Sequence, residues 1–219
     1  MNIIQTWKDN NIPDKYIHFR KSVEHNKGKW NYMFFTDIDI ELFMNNYAYE
    51  YKPIYENFPH KIQKIDFFRY LAIYQFGGVY LDLDILLKRP LDELLKEPEI
   101  CKFPVEIDRV HDTIITRNNF HSLIGNYAFY APAKHPFIKK IIDNIVNERL
   151  DKNDIELAQM TNGDSKEEVH IYCTTGPIMV TQSYIDYQDK STVELIKPTP
   201  FIKDSFGEYG VHCCYGSWK

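Results

Sequence analysis

Two aspartates separated by one leucine, Asp82 and Asp84, have the residue type and spacing to hold a hard divalent cation, Mn²⁺ or Mg²⁺, with positions left open for phosphate oxygens. On an extended strand their Cα atoms stand roughly 6.5 to 7 Å apart, too far for both to grip one ion unless the strand bends. The spacing therefore predicts one direct ligand, with the other acting through water or substrate. Upstream, Asp66 and Arg69 lie three residues apart in KIQKIDFFRYLAIYQF, on one helix face, where they can pair with each other or point together into a site. The chain supplies its own control. Asp37 and Asp39 are also Asp-x-Asp, but they open an apolar helical pattern (Ile38, Ile40, Leu42, Phe43) in which Thr36 or Asp37 is an N-cap and Asp39 a first-turn acid. Asp82 and Asp84 have no helix to cap, and burying them without a partner is costly.

The elements that must position these groups follow from hydrophobic period. Ile62 to Phe76 is apolar almost all round, the pattern of a helix buried on most sides, and Gly77 and Gly78 stop it. A strand follows, with Val79, Leu81, Leu83, Ile85 and Leu87 on one face and Tyr80, Asp82 and Asp84 on the other. Before it come a strand over 2–7, a helix from Pro13 carrying Ile17 and Val23 with Phe19 beside them, a strand over 30–37 and a helix over 37–46. That alternation predicts an α/β fold with a largely parallel sheet, whose ligands collect at the carboxyl ends of strands, where Thr6, Trp7, Asp37, Asp82 and Asp84 sit.

Further on, the pattern predicts a short helix over 91–96, a strand over 100–103, a loop or irregular hairpin over 105–122 and an amphipathic helix over 135–150 capped by His135. Residues 151–168 read as a polar insert turning at Asn162, Gly163 and Asp164. Pro177 starts a helix to about Tyr187, and 193–197 is a strand. The aromatic strand pattern in VHCCYGSWK continues to the last residue.

The 219 residues suit one domain, and a net charge of −5 without a basic stripe argues against nucleic acid as a partner. No apolar run approaches the roughly 18 residues needed to cross a bilayer, and the first residues lack the pattern of a signal peptide. The sequence as given thus reads as cytoplasmic, or as a fragment lacking its anchor. Cys101, Cys173, Cys213 and Cys214 show no disulfide framework. A zinc site from His170, Cys173, His212 and Cys213 would require two strand-like segments to converge without knuckle spacing.

The run DFFRYLAIYQFGGVYLDLD resembles the signature of the DXD sugar transferases of glycosyltransferase family 32, the group around the yeast initiating α-1,6-mannosyltransferase and inositol-phosphoceramide mannosyltransferase. The clostridial glucosylating toxins carry a similar run. The resemblance implies a single GT-A-like domain over 1–219, with a Rossmann-like, mostly parallel central sheet flanked by helices. It also implies retaining transfer of a sugar from a GDP- or UDP-sugar donor to a glycan, lipid or protein acceptor, with Mn²⁺ or Mg²⁺ as cofactor. Asp66, Arg69, Asp82 and Asp84 are then the catalytic group. Thr6, Trp7, Asp37 and Tyr80 join them around the donor, although Trp7 also suits a packed strand-end tryptophan. Asn126 matches the family's asparagine before His135-Pro136, and Thr175-Gly176-Pro177 its T-G-P. By the same resemblance His212 is a third metal ligand, or else a buried core histidine, and Trp218 a lid contact. A phosphatase of the haloacid dehalogenase kind, which also uses Asp-x-Asp, and a non-catalytic nucleotide-sugar-binding domain are the alternatives. Family members often carry an N-terminal Golgi anchor that this sequence lacks, so the resemblance assigns no compartment.

Overall fold

The computed structural model describes residues 1–108, 113–161, 163–199 and 205–216. The chain opens as β1 (Asn2–Thr6), α1 (Asp14–Asn26), β2 (Asn31–Phe35) and α2 (Asp37–Tyr47), the alternation that the sequence predicts. Next come α3 (Lys52–Asn57), α4 (Lys61–Phe76), β3 (Gly78–Leu81), β4 (Ile85–Leu87), β5 (Cys101–Asp108), α5 (Thr113–Thr116), β6 (Ser122–Ile124) and β7 (Ala128–Ala131). The remainder is α6 (Pro136–Val146), α7 (Lys152–Thr161), α8 (Lys166–Thr174), α9 (Pro177–Asp186), β8 (Val193–Ile196), β9 (Ser205–Phe206) and β10 (Gly210–His212).

Among the described residues the central sheet has seven strands in the order β2-β1-β3-β7-β5-β6, with β8 beside β5. β1 pairs in parallel with β2 and β3, and β5 with β8, whereas β7 and β6 run antiparallel to their neighbours. Strands β1, β2, β3, β5 and β8 therefore share one direction, and the sheet is mostly parallel. Alternation along each strand splits the core in two. Ile4, Tyr80, Phe103 and Phe129 pack toward α4, α6 and α9, while Ile3, Val79, Leu81 and Tyr130 pack with Val23 of α1 and with Ile85 and Leu87. A small antiparallel sheet, β4-β10-β9, completes that second side.

Helix α4 is the post on which the site stands. Phe67, Phe68, Tyr70, Leu71, Ala72 and Ile73 are all buried, so Asp66 and Arg69, unlike Lys61 and Lys64 nearer its start, are carried into the interior. Gly77 ends it at φ +64°, and Gly78 follows at φ +117°. A Cβ on Gly78 would lie 2.1 Å from the Asn2 carbonyl oxygen, so only glycine lets β3 approach β1 here.

Several expectations are corrected by packing. The strand carrying the two aspartates is not continuous: β3 ends at Leu81, and the Ile85 N–H closes a turn on the Asp82 carbonyl at 3.1 Å. The chain leaves the central sheet there because β4 pairs with β10 instead, and Leu83 drops between Tyr16 and Phe19. On α1 the buried stripe is Tyr16, Phe19 and Val23, leaving Ile17 at the surface; on α2 Ile40, Phe43 and Met44 are buried, while Ile38 and Leu42 face outward. The expected irregular hairpin over 105–122 exists, but its first arm continues β5 to Asp108 before β6 returns antiparallel to it. The polar stretch from 151 forms α7 and the start of α8, with Ser165 capping the latter; Asn162 lies outside the described residues. Strand character ends at His212, and Trp218 lies outside the described residues. Among the described residues no helix is long and apolar enough to cross a membrane.

Candidate active site

Asp66 and Arg69 meet the Asp82 turn in a buried network. Arg69 Nη2 lies 3.0 Å from Asp66 Oδ1 and 3.4 Å from Asp82 Oδ1, and Nη1 donates to the Asn126 carbonyl at 2.7 Å. Its guanidinium also stands 4.6 Å from the Tyr80 ring centroid. Asp66 accepts from Asn126 Nδ2 (3.1 Å) and from Thr175 Oγ1 (2.9 Å). Tyr80 donates its hydroxyl to Asp82 Oδ1 at 2.9 Å and lies 3.3 Å from the Thr6 hydroxyl. Thus α4, β3, Asn126 two residues before β7 and Thr175 just after α8 all converge on two carboxylates. Burial raises the Asp66 carboxyl to about 6 against the pull of Arg69, Thr175 and Asn126. Burial likewise raises Asp82, again opposed by Arg69.

Beside this network the turn brings Asp82 and Asp84 to His212, with one ligand atom from each lying within 4.8 Å of the others. The bend removes the distance problem of a straight strand, so both aspartates face one point. His212 arrives because β10 pairs antiparallel with β4, placing it opposite Ile85. Its ring stacks on Tyr127 at 4.4 Å and 19°, and Nε2 lies 3.3 Å from Asp84 Oδ1. Asp84 also accepts from the Tyr215 N–H at 2.8 Å on Oδ2, and the Cys213 N–H donates to its carbonyl at 3.1 Å. Burial works to raise the Asp84 carboxyl, but the bonds from His212 and Tyr215 hold it below the usual range. Burial works to lower His212, and the hydrogen bond with Asp84 overcomes it, lifting the imidazole to about 11. Two carboxylates with one imidazole fit a divalent cation, which would take the place of that proton; the mixed oxygen and nitrogen set suits Mn²⁺ better than the all-oxygen preference of Mg²⁺. The zinc grouping does not assemble, since Cys173 is buried in the helical core while Cys213 lies exposed at the surface.

Comparison with known proteins agrees with this geometry. Residues 1–100 match the family described as the glycosyltransferase sugar-binding region containing DXD motif. The matched stretch runs through α4, β3 and the Asp82–Asp84 turn. Among curated proteins, inositol phosphoceramide mannosyltransferase 1 of Schizosaccharomyces pombe is 35% identical over 147 residues, covering 65% of this chain and 41% of the relative. The initiation-specific alpha-1,6-mannosyltransferase of Candida albicans is 29% identical over 106 residues, 45% of this chain and 28% of that protein. The chain therefore aligns with less than half the length of either. Among solved structures the PaToxG glycosyltransferase shares the fold at a TM-score of 0.56 and 16% identity, covering 84% of this chain and 68% of that one. The architecture is thus GT-A-like, and residues 66–84, which carry the resemblance, lie within the stretch that matches the DXD-containing sugar-binding region.

The whole network opens on one cleft of about 780 Å³, lined also by Thr6, Trp7 and Asp37. Trp7 is half-buried with its ring centroid 4.9 Å from that of Tyr16, and Asp37 stands at the rim paired with Lys61. Every predicted site residue except Trp218, which lies outside the described residues, lines this cleft. Sequence reasoning missed Tyr16, Tyr127, Glu106 and the His60–Glu167 pair (3.1 Å). It matched Thr175 only as part of a motif, and its contact with Asp66 emerges from the fold. Tyr127 carried a usable signal, its place beside Asn126; the others lie on elements whose approach to the cleft depends on the tertiary fold.

Proposed function

We propose that the protein is a metal-dependent, retaining glycosyltransferase that moves a hexose or N-acetylhexosamine from a GDP- or UDP-sugar to a glycan, lipid or protein acceptor. The observation that carries this reading is the placement of Asp82, Asp84 and His212 against the Asp66–Arg69–Asn126 network in one cleft. The relatives' names make mannose the first sugar to test and a phosphoinositol-bearing lipid the first acceptor.

When bound, a divalent cation supplies positive charge against the diphosphate as it departs with the electrons of the anomeric C–O bond. Asp82, Asp84 and His212 would hold it, and Arg69 keeps Asp82 aimed. Asp66 is positioned to accept hydrogen bonds from sugar hydroxyls and so to orient the anomeric carbon. Both Asp66 oxygens are already engaged, Oδ1 by Arg69 and Asn126 and Oδ2 by Thr175, which quenches the carboxylate as a nucleophile. Double displacement needs a free carboxylate about 5 to 5.5 Å from its partner. Attack on the same face as the departing diphosphate is therefore the route this chain supports. Thr6, Trp7 and Tyr16 stand where base and ribose would lie. The buried Trp7 Nε1 and Tyr16 hydroxyl have no protein partner and are the polar atoms that a nucleotide, with a small rearrangement, would satisfy.

A donor-hydrolysis screen over GDP- and UDP-sugars with Mn²⁺ or Mg²⁺, run beside Asp84→Asn, tests the proposal. Sugar release by the parent and its loss in the variant are expected. Binding without hydrolysis would instead leave a nucleotide-sugar-binding domain, and phosphate release from monoesters would favour a phosphatase.

A further inference from the structure

His212 has two ring nitrogens, and only Nε2 faces the aspartates. The other, Nδ1, lies 3.4 Å from the sulfur of Cys214. That thiol also sits 3.8 Å from the His212 carbonyl, to which its S–H donates. The two contacts are directional: a thiol that gives its proton to the carbonyl keeps its sulfur lone pairs for Nδ1–H. The backbone holds the arrangement at a cost, because Cys214 adopts φ +51°, a left-handed conformation that a non-glycine residue seldom takes. Neighbouring amides fix the loop from both sides, Cys213 N–H on the Asp84 carbonyl and Tyr215 N–H on the Asp84 carboxylate. The segment from His212 to Tyr215 thus clasps Asp84 and turns one sulfur onto the outer edge of the imidazole.

We infer that Cys214 is a positioning residue for the cation site: it accepts Nδ1–H, locks His212 in the tautomer whose Nε2 lone pair faces Asp82 and Asp84, and thereby sets cation affinity. The inference rests on the metal-binding reading above. A metal-ligating histidine ordinarily directs its second N–H at a carboxylate or carbonyl, and removing that partner lowers metal affinity about 10- to 100-fold. Here the partner is a thiol, and it is exposed in the cleft wall. Cys101 and Cys173 are buried, so a thiol reagent reaches Cys213 and Cys214 first. Alkylation of Cys214 consumes its S–H, replaces it with a carbon–sulfur bond and puts bulk against Nδ1. The cation site is consequently sensitive to thiol chemistry although no sulfur binds the cation.

The experiment is a Mn²⁺ titration followed by electron paramagnetic resonance on the purified 219-residue chain. Cys214→Ala should weaken binding about 10- to 100-fold, and Cys214→Ser, whose hydroxyl still accepts, should restore it to within about threefold. N-ethylmaleimide should weaken binding in Cys213→Ser and leave Cys213→Ser/Cys214→Ser unchanged. In a His212→Ala background Cys214→Ala should add nothing, whereas a general loosening of the loop would still show. Mn²⁺ binding by Cys214→Ala equal to the parent's overturns the inference alone. Absence of binding by the parent overturns the metal reading itself, and this inference with it.

Discussion

Asp37-Ile38-Asp39 and Asp82-Leu83-Asp84 share a spacing and differ in the backbone that carries them. In the first, Thr36 and Asp39 close a capping box at the start of α2, with the Thr36 N–H on Asp39 Oδ2 at 2.9 Å, and Asp37 is exposed in a pair with Lys61. Asp39 there meets the free N–H of the helix start, and Asp37 pairs with a lysine of α4 in water. In the second, β3 has ended and β4 has not begun, so no helix amide is at hand, and the acids are met by groups from several elements: Tyr80 at the end of β3, Arg69 of α4, His212 of β10 and the Tyr215 amide beyond it. An Asp-x-Asp is free to gather round a cation when its backbone bends and other elements meet it; at a helix start it is spent on the helix.

The sharpest way to break this comparison is to remove the distant partner. Arg69→Met leaves the buried Asp66 carboxylate facing the half-buried Asp82 with no cation between them and should cost about 3 to 5 kcal/mol in denaturant unfolding, with donor turnover lost. If stability is unchanged, the second motif is no more dependent on its buried partner than the first is on Lys61. Asp84→Asn should cut donor turnover at least about 100-fold, or about 3 kcal/mol of barrier, and abolish Mn²⁺ binding while the fold survives.

A pH series separates the buried acids from the capping ones. The native Asp66 carboxyl keeps its proton up to about pH 6, whereas the unfolded chain releases it near 4. Unfolding therefore releases a proton between those values, and this group's contribution to stability falls as pH rises through the window. In denaturant unfolding the stability of the parent should drop relative to Asp66→Asn from pH 4 to 6, by on the order of 2 kcal/mol; a constant difference would remove Asp66 as the titrating group. At the first motif Thr36→Ala should cost about 1 kcal/mol of stability and leave turnover within about twofold. Smallest of all, Asp37→Asn should change stability by less than about 0.5 kcal/mol and donor KM by about fivefold at most, since its ion pair lies in solvent. A large rise in KM there would make Asp37 a donor ligand of the same rank as Asp82.

Much of this was legible in one dimension. The helix ending at Gly77-Gly78, the opening strand-helix alternation and the helix from Pro136 were all set by residue spacing and by glycine and proline. Misplacements fell where two apolar choices compete, as on α1, where the period put Ile17 in the core and the packing of Leu83 against α1 takes Tyr16 instead. The long hairpin built on β5 was hard to read because its partner β6 lies beyond an inserted helix.

By itself the sequence determined the chemistry on offer: two acids with nothing local to cap, an aspartate and an arginine on one face of a buried helix, and a histidine near the end of the chain. Those facts depend on residue type and local period, which a chain carries before it folds. Only the tertiary structure decided that the two acids share one point, since the bend at Asp82–Asp84 exists because β4 joins β10 rather than the central sheet. The same pairing carries His212 to that point and turns Cys214 onto its far side. Contacts across more than a hundred residues of chain are selected by the packing of whole elements, and no local pattern encodes them.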